Sequence, residues 1–307
     1  MNGLPVEILR PGLCDLLMDG GRQGWGRMGV PAGGAADRSA LAAANRLVGN
    51  GPDAPAIEMV GRGPQLYFPR GGVIALTGAP FRAARAAGLV AGWNQTLVLA
   101  AEEILRLGEP VTGYRCWLAI RGGFAVAPIL GSASALPQVG WGGVTGRPLR
   151  VGDRLYSEPA GGGVHLLRAQ PPGVDEGAPL RVVAGPQTGA LTDVGLASFF
   201  GGCFRVDVAS DRRGIRLAGP RVIERGQVFP TQGVVPGAIQ VPPDGQPIIL
   251  GWDGPVTGGY PVVATVIGAD LPRLAQLRPG AGVRFVTVDV EEARALAPPE
   301  WTVEDWA

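Results

Sequence analysis

The sequence predicts a mainly β protein, arranged as two similar β-barrel-like halves with a few short helices. Three observations predict it. Short aliphatic or β-branched runs recur along the chain, glycine and proline punctuate them, and four short segments of the first half recur in order in the second. Of 307 residues, 51 are glycine and 29 are proline. That share alone would suit a low-complexity chain. Hydrophobic residues make up 46%, enough for a sizeable core, so the glycines and prolines read as turns between strands.

The segments 73–77, 117–121, 180–183, 204–208, 247–250, 262–267 and 283–288 have the composition of strands, each bounded by glycine or proline. Helical patterns are fewer. The clearest spans 37–50, where Asp37 can cap the N-terminus and Gly49 can stop the helix. A shorter one, 193–200, starts the same way on Asp193, and 269–277 and 290–296 complete the set.

The repeats connect these elements. Asp193 lies as far beyond Asp37 as Pro220 lies beyond Pro64, and each of those prolines follows a glycine. The run from Pro110 to Tyr114 is echoed from Pro255 to Tyr260, and Leu149 to Gly152 by Leu277 to Gly280. An ancient duplication of one β-rich unit accounts for all four. The expected division is an N-terminal half, 1–168, a linker, 169–179, rich in proline and glycine, and a C-terminal half, 180–307. A crevice between such halves is a common place for a small-molecule site.

Composition excludes several functions. The net charge is +1 with no long block of one sign, so neither a nucleic-acid partner nor a membrane surface is expected. All 27 basic residues are arginine. Without lysine there is no Schiff base and no lysine-bearing phosphate loop, so anions fall to arginine or backbone N–H groups. Cys14, Cys116 and Cys203 are scattered and odd in number, and His165 is the one histidine, so no disulfide framework and no metal site are expected. No G-x-S-x-G motif accompanies His165, no secretory leader opens the sequence, and no apolar run reaches the ~18 residues of a membrane span. A cytoplasmic protein is the expectation.

Gly24, Gly26 and Gly29 match the spacing of a dinucleotide fingerprint, but Pro31 and two more glycines follow where a helix should open. The surrounding stretch is more informative. Between positions 19 and 38 lie Asp19, Arg22, Arg27, Asp37 and Arg38 among many glycines. Glycines let a backbone approach a ligand, and arginines offer planar forks to carboxylate or phosphate. A tight loop whose Arg and Asp pair with one another is the bland alternative.

These residues carry a resemblance. Asp19 to Gly24, Gly33 to Arg38 and Ala44 to Asn50 resemble the opening of the biotin-dependent carboxyltransferase family, which includes allophanate hydrolase subunit 2 and the C-type subunit of 5-oxoprolinase. The match continues through Glu58, Gly63-Pro64, Thr77 to Ala79, Arg121 to Gly123, Gly131-Ser132, Ser210 to Arg212 and Gly219-Pro220. It ends with Val234 to Pro242, Gly258 to Pro261 and Asp270 to Pro272, so it spans nearly the whole chain. The resemblance implies two cyclophilin-like β-barrel domains in tandem. It implies three activities among relatives: ATP-dependent opening of 5-oxoproline to glutamate, carboxyl transfer from carboxybiotin to urea, and antagonism of a kinase inhibitor by a non-catalytic binding protein. Two places depart from the usual pattern. Ala133 stands where relatives often carry arginine, and Asp253-Gly254-Pro255 resembles the urea carboxylase form.

The resulting expectation is an enzyme subunit handling a small amide or lactam, of the 5-oxoprolinase hydrolase type, with carboxyl transfer as the alternative. Its expected partners are a B-type and a third 5-oxoprolinase subunit, or a biotin carboxylase. No cofactor is expected to be covalently bound; ATP would act through the complex and carboxybiotin would ride on a partner. The expected catalytic residues are Asp19, Arg22, Glu58, Asp211 and Arg212. Arg38, Asn45, Arg121, Gln240, Thr257 and Tyr260 are expected to bind substrate, since arginine forks and neutral hydrogen bonds suit charge developing on a carbonyl oxygen.

Overall fold

A computed structural model of the chain describes residues 3–85, 88–89, 92–173, 177–298 and 300–306. Contacts divide it into two compact units: Met1–Gln23, Gly33–Pro172 and Glu300–Ala307 form the first, and Gly24–Ala32 and Gly173–Pro299 the second. Of the stretch expected as a linker, Ala169 and Gln170 belong to a strand of the first unit, and positions 174–176 lie outside the described residues.

The first unit comprises β1 (Pro5–Arg10), β2 (Cys14–Met18), α1 (Arg38–Leu47), β3 (Ala56–Val60), β4 (Gln65–Phe68), β5 (Gly72–Gly78), β6 (Phe81–Arg85), β7 (Gly88–Leu89), β8 (Thr96–Leu99), β9 (Glu103–Pro110), β10 (Arg115–Ile120), β11 (Arg154–Tyr156) and β12 (Leu167–Gln170). One sheet runs β11-β1-β4-β9-β6-β7 and a second β2-β3-β10-β5-β8, while β12 pairs with Thr302–Asp305. Side chains alternate across each strand. Ile57 and Met59, Ile74 and Leu76, and Cys116, Leu118 and Ile120 face the core shared with Val6, Leu66, Phe68 and Leu105 of the other sheet.

The opposite face of the five-stranded sheet is also buried, which is why β3 and β10 read as unbroken buried runs. Helix α1 lies against β5 and β10 there. Its buried face is Ala40, Leu41, Ala43, Ala44, Asn45 and Leu47, and three alanines let it sit close to the sheet. Leu41 and Leu47 are fully buried, each contributing about 1.5–3 kcal/mol. The Thr77 hydroxyl donates to the Ala40 carbonyl at 2.7 Å, locking helix to strand. As expected, Asp37 caps the helix by accepting from Ala40 N. Gly49, at φ 75°, ends it.

The second unit holds β13 (Leu180–Ala184), α2 (Asp193–Gly201), β14 (Phe204–Val206), β15 (Gly214–Ala218), β16 (Gln232–Gly233), β17 (Ala238–Gln240), β18 (Ile248–Leu250), β19 (Thr257–Gly258), β20 (Val262–Val266), α3 (Leu271–Gln276), β21 (Gly282–Val283), β22 (Phe285–Thr287) and α4 (Val290–Ala295). One eight-stranded sheet runs β21-β14-β15-β18-β17-β20-β13-β22. Its two edges, β21 and β22, are successive pieces of one segment with Arg284 between them, so the sheet nearly closes into a barrel. The expected single strand at 283–288 is therefore split, because its halves pair with opposite ends of the sheet. Phe199 of α2 stacks on Phe285 at 4.7 Å between ring centroids, with Phe204 alongside. Thr192 caps α2, accepting from Gly195 N; Asp193, expected as the cap, occupies the first helical turn instead.

The fold is mostly β with short helices, as the sequence predicts. The repeat does not extend to strand order. Gly63-Pro64 follows β3, a direct neighbour of β10, whereas Gly219-Pro220 follows β15, which β18 and β17 separate from β20. The recurring segments thus sit in differently ordered sheets, and they differ locally too: Thr257–Gly258 is a strand where 111–114 is a bend. Among the described residues no helix is long and apolar enough to cross a membrane.

Candidate functional site

In the first unit, the chain leaves β2 into the glycine-rich stretch and meets the turn at positions 131–135. Asp19 is the hub. Its Oδ1 accepts from the Ser132 hydroxyl at 2.6 Å, the Ser134 hydroxyl at 2.6 Å and Gly21 N at 2.8 Å. Its Oδ2 accepts from Ala133 N at 2.6 Å. Arg22 donates through Nη2 to the Ser134 carbonyl at 2.5 Å and is among the most buried large side chains of the protein. Gly34 crosses this hub at φ +86°, and a Cβ there would lie 2.8 Å from Gly21 N. Glycine is thus required by both conformation and space.

The same stretch links the hub to β3. Ala35 N donates to the Asp19 carbonyl at 2.9 Å, and the next amide, Ala36 N, donates to Glu58 Oε2 at 2.8 Å. Glu58 Oε1 lies 3.6 Å from Arg115 Nε. Burial pushes the Asp37 carboxyl above its ordinary range; hydrogen bonds from Ser39 and Ala40 oppose this, and the neighbouring Glu58 adds to it. Asn45 donates to the carbonyls of Pro52 and Ala54 and accepts from Asn50, so it shapes the turn after α1. Arg121 donates to the carbonyls of Val48, Gly161 and Gly162. It also lines a cleft of about 330 Å³ with Gly3, Val73 and Ser157, and His165 lines a smaller apolar recess beside it. Arg38 is exposed on the first turn of α1.

In the second unit, Asp211 closes a turn by accepting from Arg213 N and Gly214 N. That turn presents Arg212, whose fork grips Asp253 through Nε at 2.7 Å and Nη2 at 3.0 Å. Asp253 is buried and only 9% of the Arg212 side chain is exposed. A bidentate pair of this kind holds both groups in one geometry. Gln240 is buried and donates to the Tyr260 carbonyl at 3.2 Å. Thr257 and Tyr260 are exposed, and Gln232 pairs opposite Gly258 across β16 and β19. Gln187 and Gln232 exchange two hydrogen bonds, each 2.9 Å.

The structure thus brings Asp19 together with Arg22, and Glu58 with Asp37. Asp211 stands next to Arg212, and the buried Gln240 holds the carbonyl of Tyr260, which with Thr257 is exposed. Asn45, Arg121 and Arg38 lie elsewhere on or beyond α1. Asp19, Arg22, Glu58 and Asn45 are enclosed and bonded within the fold, so their immediate work is to hold loops. Five residues absent from the sequence expectation complete these clusters: Ser132, Ser134, Arg115, Asp253 and Gln187. Asp253 and Ser132 stand within the quoted motifs and Ser134 lies two residues on, which is the signal that could have found them; nothing local marks Arg115 or Gln187. Among the described residues no cluster could hold a metal ion. In the second unit, Gln187, Gln232, Thr257 and Tyr260 offer half-buried or exposed neutral polar groups, while the Arg212 fork is taken up by Asp253.

Comparison with known proteins follows the same line. A family model described as carboxyltransferase domain, subdomain A and B, matches residues 28–287. The C-type subunit of the Escherichia coli 5-oxoprolinase is 37% identical over 295 residues, covering 94% of this chain and 93% of that protein. The solved Kluyveromyces lactis urea amidolyase matches with a TM-score of 0.86 at 30% identity, over 96% of this chain. The solved TTHA0988 chain matches with a TM-score of 0.82 at 33% identity, over 93% of this chain. The present chain spans 56% of the TTHA0988 chain and 19% of the urea amidolyase.

Proposed function

The chain belongs to the carboxyltransferase domain family, subdomains A and B, and from that premise we propose that it is one subunit of an ATP-dependent 5-oxoprolinase-type complex. The observation that carries this reading is the end-to-end match to the C-type subunit of a 5-oxoprolinase, which this chain covers to 93% of its length. In the reaction, the lactam C–N bond breaks, water supplies the oxygen that joins the carbonyl carbon, and the ring nitrogen takes a proton. Negative charge develops on the carbonyl oxygen. The second unit meets the substrate through Gln240, Thr257 and Tyr260, with Arg212 held in place by Asp253 and the Asp211 turn. Asp19, Arg22 and Glu58 set the shape of the glycine-rich stretch; Arg38, Asn45 and Arg121 act around α1. ATP is handled through the partners, a B-type protein and a third component of the complex.

A second reading is favoured by the Asp253-Gly254-Pro255 form and the TM-score of 0.86 to a urea amidolyase. It is transfer of a carboxyl group from carboxybiotin to urea or a similar amide. The sequence contains no lysine, so biotin would be attached outside these residues.

Co-expression with the B-type and third 5-oxoprolinase components, followed by native pull-down and an assay of glutamate release, tests the choice. The expected result is ATP-dependent release by the complex and none by this chain alone. Co-purification of a biotinylated carboxylase, with urea carboxylation in place of glutamate release, would overturn the first reading in favour of the second.

A further inference from the structure

Gln187 and Gln232 form a closed pair. Gln187 Nε2 donates to Gln232 Oε1 and Gln232 Nε2 donates to Gln187 Oε1, both at 2.9 Å. Each carboxamide offers an N–H and a C=O from the same edge. A lactam ring does likewise, because its amide is held cis, and so does urea. A trans peptide cannot, since its N–H and C=O point in opposite directions.

The two partners are not held alike. Gln187 Oε1 also accepts from Val262 N at 3.0 Å, and the next residue, Thr188, donates its hydroxyl to the Val263 carbonyl at 2.6 Å. Gln187 is thereby fixed to β20. Gln232 rests on the two-residue ladder to β19. Both side chains are half-buried, and a hydrogen bond open to water contributes only about 0.5–1.5 kcal/mol net, so a ligand can replace Gln232 at small cost. Gly258 pairs opposite Gln232, and a Cβ there would lie 2.5 Å from Gln240 Nε2, so the glycine makes room for the Gln240 carboxamide beside this ladder.

We propose that Gln187 is a specificity-determining residue whose carboxamide edge, taken by Gln232 in this structure, receives the cis-amide edge of a lactam or of urea. This rests on the reading of the substrate as a small amide or lactam.

The test is titration of the full ¹⁵N-labelled chain with 2-pyrrolidinone, N-methyl-2-pyrrolidinone and urea, following side-chain NH₂ signals. 2-Pyrrolidinone should shift those of Gln187 and Gln232 saturably, and its N-methyl form should bind at least tenfold more weakly. Gln187→Glu, which loses the donor, should weaken 2-pyrrolidinone tenfold or more; Gln232→Ala should leave it unchanged or tighter. Equal response to the N-methyl compound, or no shift of either carboxamide, overturns the proposal. If the complex nevertheless releases glutamate, the proposal alone fails. Urea acting at lower concentration than the lactam keeps the proposal and counts against the 5-oxoprolinase reading.

Discussion

Asp19 in the first unit and Thr257 with Tyr260 in the second were singled out by the same kind of pattern, a polar residue among glycines. Their environments are opposite. Asp19 is 8% exposed and collects hydroxyl and backbone donors on both oxygens. Tyr260 is 47% exposed, and in the same unit the half-buried Gln187 and Gln232 bond to one another. A carboxylate that deep persists only when donors surround it, so its partners are built from the fold itself. Neutral amides carry a smaller burial penalty and can stay half-open, which leaves them free to exchange one partner for another. Polar residues among glycines therefore mark buried scaffold in one unit and exposed surface in the other.

The largest expected effect lies at the exception, the buried ion pair of the second unit. Asp253→Ala removes the carboxylate that the buried Arg212 fork grips and should cost about 3–5 kcal/mol, read as a shift in denaturant midpoint. A loss below about 1 kcal/mol would show that this pair, too, is open to solvent exchange. Next comes the hub. Asp19→Ala leaves two hydroxyls and the Ala133 amide without their acceptor and should cost about 3 kcal/mol. Asp19→Asn, which keeps an acceptor oxygen, should cost less.

The third prediction concerns pH. Asp15 is buried on β2 and accepts from Gly12 N; burial raises its carboxyl to about 7, against the opposing pull of that bond and of Arg62. Between the ordinary value near 4 and about 7, the folded chain keeps a proton that the unfolded chain has released. Stability should therefore fall as pH rises through that window, by about 1.4 kcal/mol per pH unit, and level off above it. Melting temperatures from pH 4 to 8 will show this, and Asp15→Asn should flatten the slope. An unchanged slope in that variant would assign the effect elsewhere, Asp37 being shifted in the same direction. The smallest effect on stability belongs to the open surface. Thr257→Ala and Tyr260→Phe should each change stability by less than about 0.5 kcal/mol while raising the complex's KM for 5-oxoproline. Unfolding of either variant would place these residues with the scaffold.

Strands and helices were legible wherever the pattern was local. The helix after Asp37 could be read because a cap, an alanine-rich face and a terminating glycine stand in order. Partners distant in sequence were not legible. Arg115 meets Glu58 because β10 pairs with β3, and Gln187 meets Gln232 because both converge beside β20. The repeated segments recur in order along the chain, yet the sheets around them have different strand orders. Turn chemistry depends on a few residues, whereas strand order depends on which faces find one another.

By itself, then, the amino-acid sequence determined the class of fold, the family, the absence of lysine chemistry and the motifs in which polar groups concentrate. Tertiary structure alone decided which of those groups became buried scaffold and which stayed open. The physical reason is desolvation: the cost of hiding Asp19, Glu58 or Asp253 depends on donors contributed by segments far away in the chain, and only the folded packing brings those donors within hydrogen-bonding or ion-pairing reach.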